Sequence, residues 1–272
     1  MIEYHVYLET GDEGHHMAHV PALPGCAYRA GSRHACLEAL PLAVAAHHAW
    51  LRRHGEPAPP DGSAFDLTVV KDVTGIGPFD PGDAAALFSA DRLPVTRDEM
   101  EGYFRLMACA RADLLALIGH LPEDVLDWEP GAGAFSIRRI VRHVGNAEQW
   151  YVSRLVPVDT LPREWDDDEG MGLLAFLEME RRTAVERLRR LADDELAGVF
   201  YPEVWTRHPD EAWTVRKALR RFLEHELEHT HQVREVLDLR RAALLAELDA
   251  ARDALVSAVA LVPADERARR PV

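Results

Sequence analysis

The chain has 272 residues, enough for two modest domains with real cores, and a net charge of −15. Its 47% hydrophobic and 28% charged residues describe an ordinary globular protein. The acidic balance argues against a nucleic-acid surface, and no apolar run reaches the ~18 residues of a membrane span.

Residues 2–9, IEYHVYLE, alternate in the manner of a half-buried strand and lack the basic and apolar regions of a signal peptide. A second strand, MAHVPAL, follows the turn GDEGHH and ends at Pro24-Gly25. Ser32 can cap a helix running to Gly55, with Pro41 near its first turns, and FDLTVVKD reads as a third strand. Residues 1–72 therefore form a small ββαβ domain. His15, His16 and His19 beside the hairpin are read as exposed surface histidines and not as a second metal site. The linker, residues 73–95, is rich in Gly, Pro and Asp and can carry a short helix at DAAALFS.

From residue 96 to 240 the pattern is helical. Thr96 opens a long amphipathic stretch stopped by Pro122, Ser136 caps IRRIVRHVGNAEQWYVSRLV, and MGLLAFLEMERRTAVERLRRL makes a third helix. Thr214 caps the fourth, which runs to about Leu239. Four helices joined by polar loops make a four-helix bundle, and the fold class is α+β. Residues 241–272 read as an additional helix that resembles the start of another bundle. Arg138, Arg139 and Arg142 are read as a solvated helix face, and Trp128, Trp150, Trp205 and Trp213 as core or pocket wall. Cys26, Cys36 and Cys109 show no metal-type spacing, which favours a reducing, cytoplasmic setting.

The chemistry lies in His225-Glu226-Leu227-Glu228-His229. Residues four apart on a helix share a face one turn apart, so the two imidazoles can bind one ion, with His143 as a third ligand. Three neutral imidazoles leave open coordination positions, the arrangement of a catalytic site. Imidazole suits Zn²⁺ and Ni²⁺ alike. By helix geometry Glu226 and Glu228 fall off the ligand face, and Glu148 has a supporting or surface role. His231 falls on the far side of the helix, and His120 and His208 take helix-end or surface roles.

The text LDWEPGAGAFSIRRIVRHVGNAEQWY, followed by EHELEHTHQVREVL, resembles the DinB superfamily over roughly residues 97–240. That family includes the bacillithiol- and mycothiol-dependent transferases. The resemblance implies a metal-binding four-helix bundle with His143, His225 and His229 as ligands and Gln232 at a position often filled by Gln. It departs from the family at Phe135, where many members have Trp. It implies a metal-dependent thiol S-transferase or hydrolase, with a low-molecular-weight thiol as a candidate co-substrate. VPALPGCAYRAGSRHACLEAL resembles the HicB-like antitoxin domain, with Arg33-His34-Ala35 departing from its pattern at the helix start. This implies a docking or dimerising module, so a homodimer is one assembly it would support.

Two rival functions remain. In the first, the chain is a non-enzymatic interaction protein with a structural metal bundle. In the second, HELEH is the HExxH of a zinc peptidase, with Glu226 activating water and Glu247 as the only crude match for a third ligand. An open pocket above the three histidines, unfilled by Trp150, favours catalysis.

Overall fold

The N-terminal unit is a sheet crossed by one helix. It comprises β1 (Ile2–Thr10), β2 (His16–His19), β3 (Ala27–Ala30), α1 (Arg33–Arg53) and β4 (Phe65–Thr74). The computed structural model describes residues 1–11, 14–74, 86–166 and 170–261. The strand order is β3-β2-β1-β4, with β1 antiparallel to β2 and parallel to β4. The expected ββαβ unit therefore gains a strand. At four residues, Ala27-Tyr28-Arg29-Ala30 is too short to display an alternation, and it pairs with β2 from His16↔Ala30 to His19↔Ala27.

An inner strand of this sheet, β1 is covered on both faces. The Tyr4 hydroxyl lies 3.0 Å from His48 Nε2 of α1, whereas the Tyr7 hydroxyl lies 3.1 Å from Ser89 Oγ of the segment leading into the bundle. Val6, Tyr7, Leu8 and Glu9 are all buried, and the register with β4 shifts between Val6 and Tyr7. The half-buried alternation expected for this strand is thus replaced by two-sided burial. Ser32 caps α1 as expected, its hydroxyl accepting from Ala35 N at 3.2 Å. Part of the helix expected at DAAALFS lies outside the described residues; the remainder, residues 86–89, is not helical, and a 3₁₀ turn follows at Ala90–Arg92.

The second half consists of α2 (Arg97–Ile118), the single turn α3 (Glu123–Leu126), α4 (Ile137–Ser153), α5 (Leu173–Arg189) and α6 (Val215–Leu261). Thr96 and Glu99 form a reciprocal capping box on α2, and Ser136 Oγ accepts from Arg139 N at 3.3 Å on α4. Thr214 Oγ1 accepts from Lys217 N at 3.2 Å at the start of α6. In the bundle α4 packs on α5 and α6, and α2 packs on α6. Gly145 sets the closeness of α4 and α5, because a Cβ there would stand 2.3 Å from Phe176 Cε1.

The fourth helix does not stop near Leu239. α6 has 47 residues, a length of about 70 Å at ~1.5 Å per residue. The additional helix expected over 241–272 is, as far as Leu261, the continuation of α6, and residues 262–272 lie outside the described residues. Beyond Arg240 nearly every side chain of α6 is exposed.

Sheet and bundle share one hydrophobic core, which runs from Tyr4, Val6 and Leu8 through Val141, Leu219 and Leu223. The turn at Pro24-Gly25 makes the join. Gly25 has φ +88°, and a Cβ there would lie 2.8 Å from both Leu223 Cγ and Leu227 Cδ1 of α6. Only glycine satisfies both the backbone conformation and the contact. The boundary drawn at residues 73–95 therefore separates two stretches of sequence that pack together. No helix among the described residues is long and apolar enough to cross a membrane.

Candidate metal centre

His225 and His229 stand one turn apart on α6, and α4 brings His143 to the same point. His225 Nε2 lies 3.1 Å from His143 Nε2 and 3.1 Å from His229 Nε2. One ligand atom from each of the three falls within a common span of 4.8 Å. Nitrogens bound to one Zn²⁺ at ~2.0–2.1 Å, with angles near the tetrahedral value, lie about 3–3.4 Å apart, so the donor set fits such an ion. Gln232 supports it from the side, its Oε1 accepting from His229 Nδ1 at 2.7 Å. That bond places the proton on Nδ1 and turns the Nε2 lone pair towards the other two rings.

The surroundings favour the neutral form of the two ligands on α6. Burial pushes His225 well below the usual histidine range, and His229, His143, Arg221 and Arg29 push in the same direction. Burial also lowers His229, although Glu228 and the Gln232 bond oppose it. A neutral imidazole is the form that binds a metal. Tyr151, itself buried, stands edge-on to His225 at 5.8 Å between ring centres.

The two glutamates of the motif are held elsewhere. Glu226 Oε1 accepts from Arg111 Nε at 2.5 Å and its Oε2 from Arg181 Nη2 at 2.6 Å. The same two guanidiniums bind Glu148, Arg181 at 2.8 Å and Arg111 more closely still. Burial opposes ionisation of Glu226, but the two arginines outweigh it and hold the carboxyl below the usual range. Glu226 is thus a buried structural anion with both oxygens occupied. Glu148, for which a surface role was one expectation, is 2% exposed and completes the same cluster. Glu228 pairs with Arg29 of β3 at 2.9 Å. The third ligand that a peptidase would need is also misplaced. Glu247 is exposed on α6, about 27 Å beyond His229 along the axis at ~1.5 Å per residue.

Directly before the first ligand, Glu224 binds the sheet. Its Oε1 is 3.0 Å from His19 Nδ1, and its Oε2 accepts from Arg220 at 3.0 Å and from Arg221 at 3.1 Å. His19 is fully buried, which corrects the expectation of an exposed surface histidine; His15 is exposed and His16 half-buried. Burial disfavours a charged His19, yet Glu224 and Glu9 outweigh it and raise its pKa. His231, His120 and His208 are exposed, as expected.

A cleft of about 530 Å³ opens along α4, with His143, alone of the three ligands, in its wall next to Phe135, Arg138, Arg139, Arg142 and Asn146. Trp150 is not part of it. Its indole donates to the Trp205 carbonyl at 3.0 Å and stacks edge-on against Trp213. Trp213 is core, Trp128 and Trp150 are partly buried, and Trp205 is 56% exposed with φ +49°, unlike the core or wall position expected for it. The three arginines do not form a plain solvated face. Arg138 is half-buried between Asp127 and Glu123, and the Arg142 guanidinium lies 4.4 Å over the Phe176 ring.

Arg111 and Arg181 were not singled out from the sequence, although Arg111 carried a signal. It falls in the apolar stripe Phe104, Met107, Leu114, Ile118 of α2, where a charge needs a buried partner.

Residues 107–233 match the family model of the DinB superfamily, and this part of the chain is a DinB superfamily domain. All three histidines lie within it, and the N-terminal sheet lies outside it. Among solved structures, YfiT from Bacillus subtilis, described as a probable metal-dependent hydrolase with an unusual four-helix bundle topology, is similar at 20% identity. The alignment covers 55% of this chain and 90% of that one, with a TM-score of 0.41. No curated protein matches the chain.

Proposed function

We propose that His143, His225 and His229 hold a divalent ion, Zn²⁺ or Ni²⁺, and that the bundle is a metal-dependent enzyme: a hydrolase or a thiol S-transferase acting on a small molecule. The observation that carries this reading is the convergence of three imidazoles on one point, one of them, His143, lining an open cleft. A structural zinc site would be closed by a fourth protein ligand, and no such side chain joins the cluster among the described residues. Bound there, the ion would supply Lewis acidity and lower the pKa of a water or thiol that reaches it.

The chain's own groups supply the remainder. Gln232 fixes the tautomer and ring direction of His229. The Arg111–Glu148–Arg181–Glu226 cluster ties α2, α4, α5 and α6 together beneath the site, so the ligand-bearing turns of α4 and α6 are held in register. Glu224 and Glu228 hold the other side of the same turns to the sheet through His19 and Arg29. The N-terminal unit, whose resemblance suggested a docking module, then serves as a brace for the metal helix.

The test is turnover by metal-loaded protein on two panels, one of esters and amides and one pairing low-molecular-weight thiols with electrophiles. Metal-dependent turnover abolished by His225→Ala supports the reading. Stoichiometric metal with no turnover on either panel would favour the rival in which the bundle is a structural scaffold.

A further inference from the structure

Residues 241–261 of α6 stand clear of the bundle with almost every side chain exposed, yet they are not uniformly polar. Val233 and Leu237 pack against the core where the bundle ends. Stepping on by three and four residues, the same side of the helix carries Leu244, Leu248, Ala251, Leu255 and Val259 outward. Leu248 and Leu255 are 66% and 65% exposed, and Leu245 and Val256 widen the stripe on one flank. At ~1.5 Å per residue the stripe is about 30 Å long, far more than the scattered apolar residues of an ordinary surface. A helix this long draws its stability chiefly from packing such a face against a partner.

We propose that this stripe is the contact surface for a second copy of the chain, laid antiparallel along the end of α6. Two observations choose that occupant. The first is steric. The stripe continues the face on which the chain's own bundle sits, so a parallel copy would set both bundles on that face at one height, where they collide. An antiparallel copy lays its helix beyond the end of the bundle, in the space that the bundle leaves open. The second observation is charge. Asp249 and Arg252 stand on one flank of the stripe and meet at 3.1 Å as an exposed pair within their own helix. In an antiparallel two-fold pair centred on Ala250, Leu245 is level with Leu255 of the second copy, and Leu244 with its Val256. In the same register Arg252 falls within one residue of Asp249 of the second copy, and the symmetry makes each contact twice. Apolar groups thus meet apolar groups where opposite charges also meet. The centre of the pairing is about 30 Å along the axis from His229, so the surface is independent of the metal reading.

The test is the mass of the full-length protein in sedimentation velocity over a concentration series. The expected species is a reversible dimer of twice the 30.5 kDa chain. Leu248→Glu and Leu255→Glu should each weaken it by about 100-fold or more, because the symmetric pair loses two buried leucines. Both residues are exposed in the single chain, so circular dichroism and metal content should stay those of the wild type. Asp249→Arg should weaken the dimer by about five- to tenfold through like charges across the two-fold. Adding Arg252→Asp to it should restore the wild-type association, since the reversed charges then meet again. A monomer at the highest concentration the protein tolerates, or a dimer unmoved by Leu248→Glu, would overturn the proposal. A double variant as weak as Asp249→Arg alone would overturn the antiparallel register.

Discussion

Gln232 Oε1 accepts a hydrogen bond from His229 Nδ1 at 2.7 Å, three residues along the same helix, and so decides which nitrogen of that ring faces His143 and His225. The ligand geometry is set from outside the three ligands. Removing the acceptor frees the ring to rotate and to change tautomer. Gln232→Leu should therefore lower metal affinity by about 10- to 100-fold, with the fold intact by circular dichroism. Competition with a chromophoric chelator measures this. An unchanged dissociation constant would mean that His229 is oriented by other contacts.

Glu226 separates the bundle reading from the peptidase reading most sharply. If it is the buried partner of Arg111 and Arg181, Glu226→Ala leaves two guanidiniums sharing Glu148, a loss of about 3–5 kcal/mol in urea unfolding. If it were a general base, the same substitution would abolish activity with little effect on stability.

The junction between sheet and bundle is also testable. His19 sits between Glu9 and Glu224, and His19→Ala leaves these buried carboxylates short of a partner. We expect the variant to lose about 3 kcal/mol or more. Both halves should still unfold in a single transition, whether followed by Trp50 of α1 or by Trp213 next to α6, each as the only retained tryptophan. Two separated transitions would mean that the shared core does not couple them.

Acid should destabilise the protein through His47. Burial, with His48 beside it, lowers this residue to about 4, although a hydrogen bond to the Pro24 carbonyl opposes the shift. An unfolded chain takes up the proton near pH 6.5, before the folded one does, so stability is full above that value and falls as the pH drops from about 6.5 towards 4. The contribution is at most about 3 kcal/mol. His47→Leu should flatten the dependence of Tm on pH across that window, as scanning calorimetry would show.

Much of this architecture could be read from local chemistry. Ser32, Ser136 and Thr214 cap the helices they were expected to cap, and Thr96 caps the one it was expected to open, because a cap is a matter of a few consecutive residues. The i, i+4 histidines and their partner on α4 were legible for the same reason, helped by the resemblance of the flanking text. What escaped depends on distant partners. His19 meets Glu224 across 205 positions, and nothing beside His19 in sequence marks it as buried. Strand β3 is too short to carry a period. The break assumed near Leu239 had no Pro or Gly to cause it; the apolar stripe loses its packing partner there while the helix continues.

Three histidines on two helices bind one ion in the proposed centre. It is tested by metal analysis of untagged protein purified from cells, alongside His143→Ala, His225→Ala and His229→Ala. We expect about one divalent ion per wild-type chain and a loss of most of it in each variant, because each histidine supplies one of the three donor atoms. Wild-type stoichiometry retained in His225→Ala would contradict it.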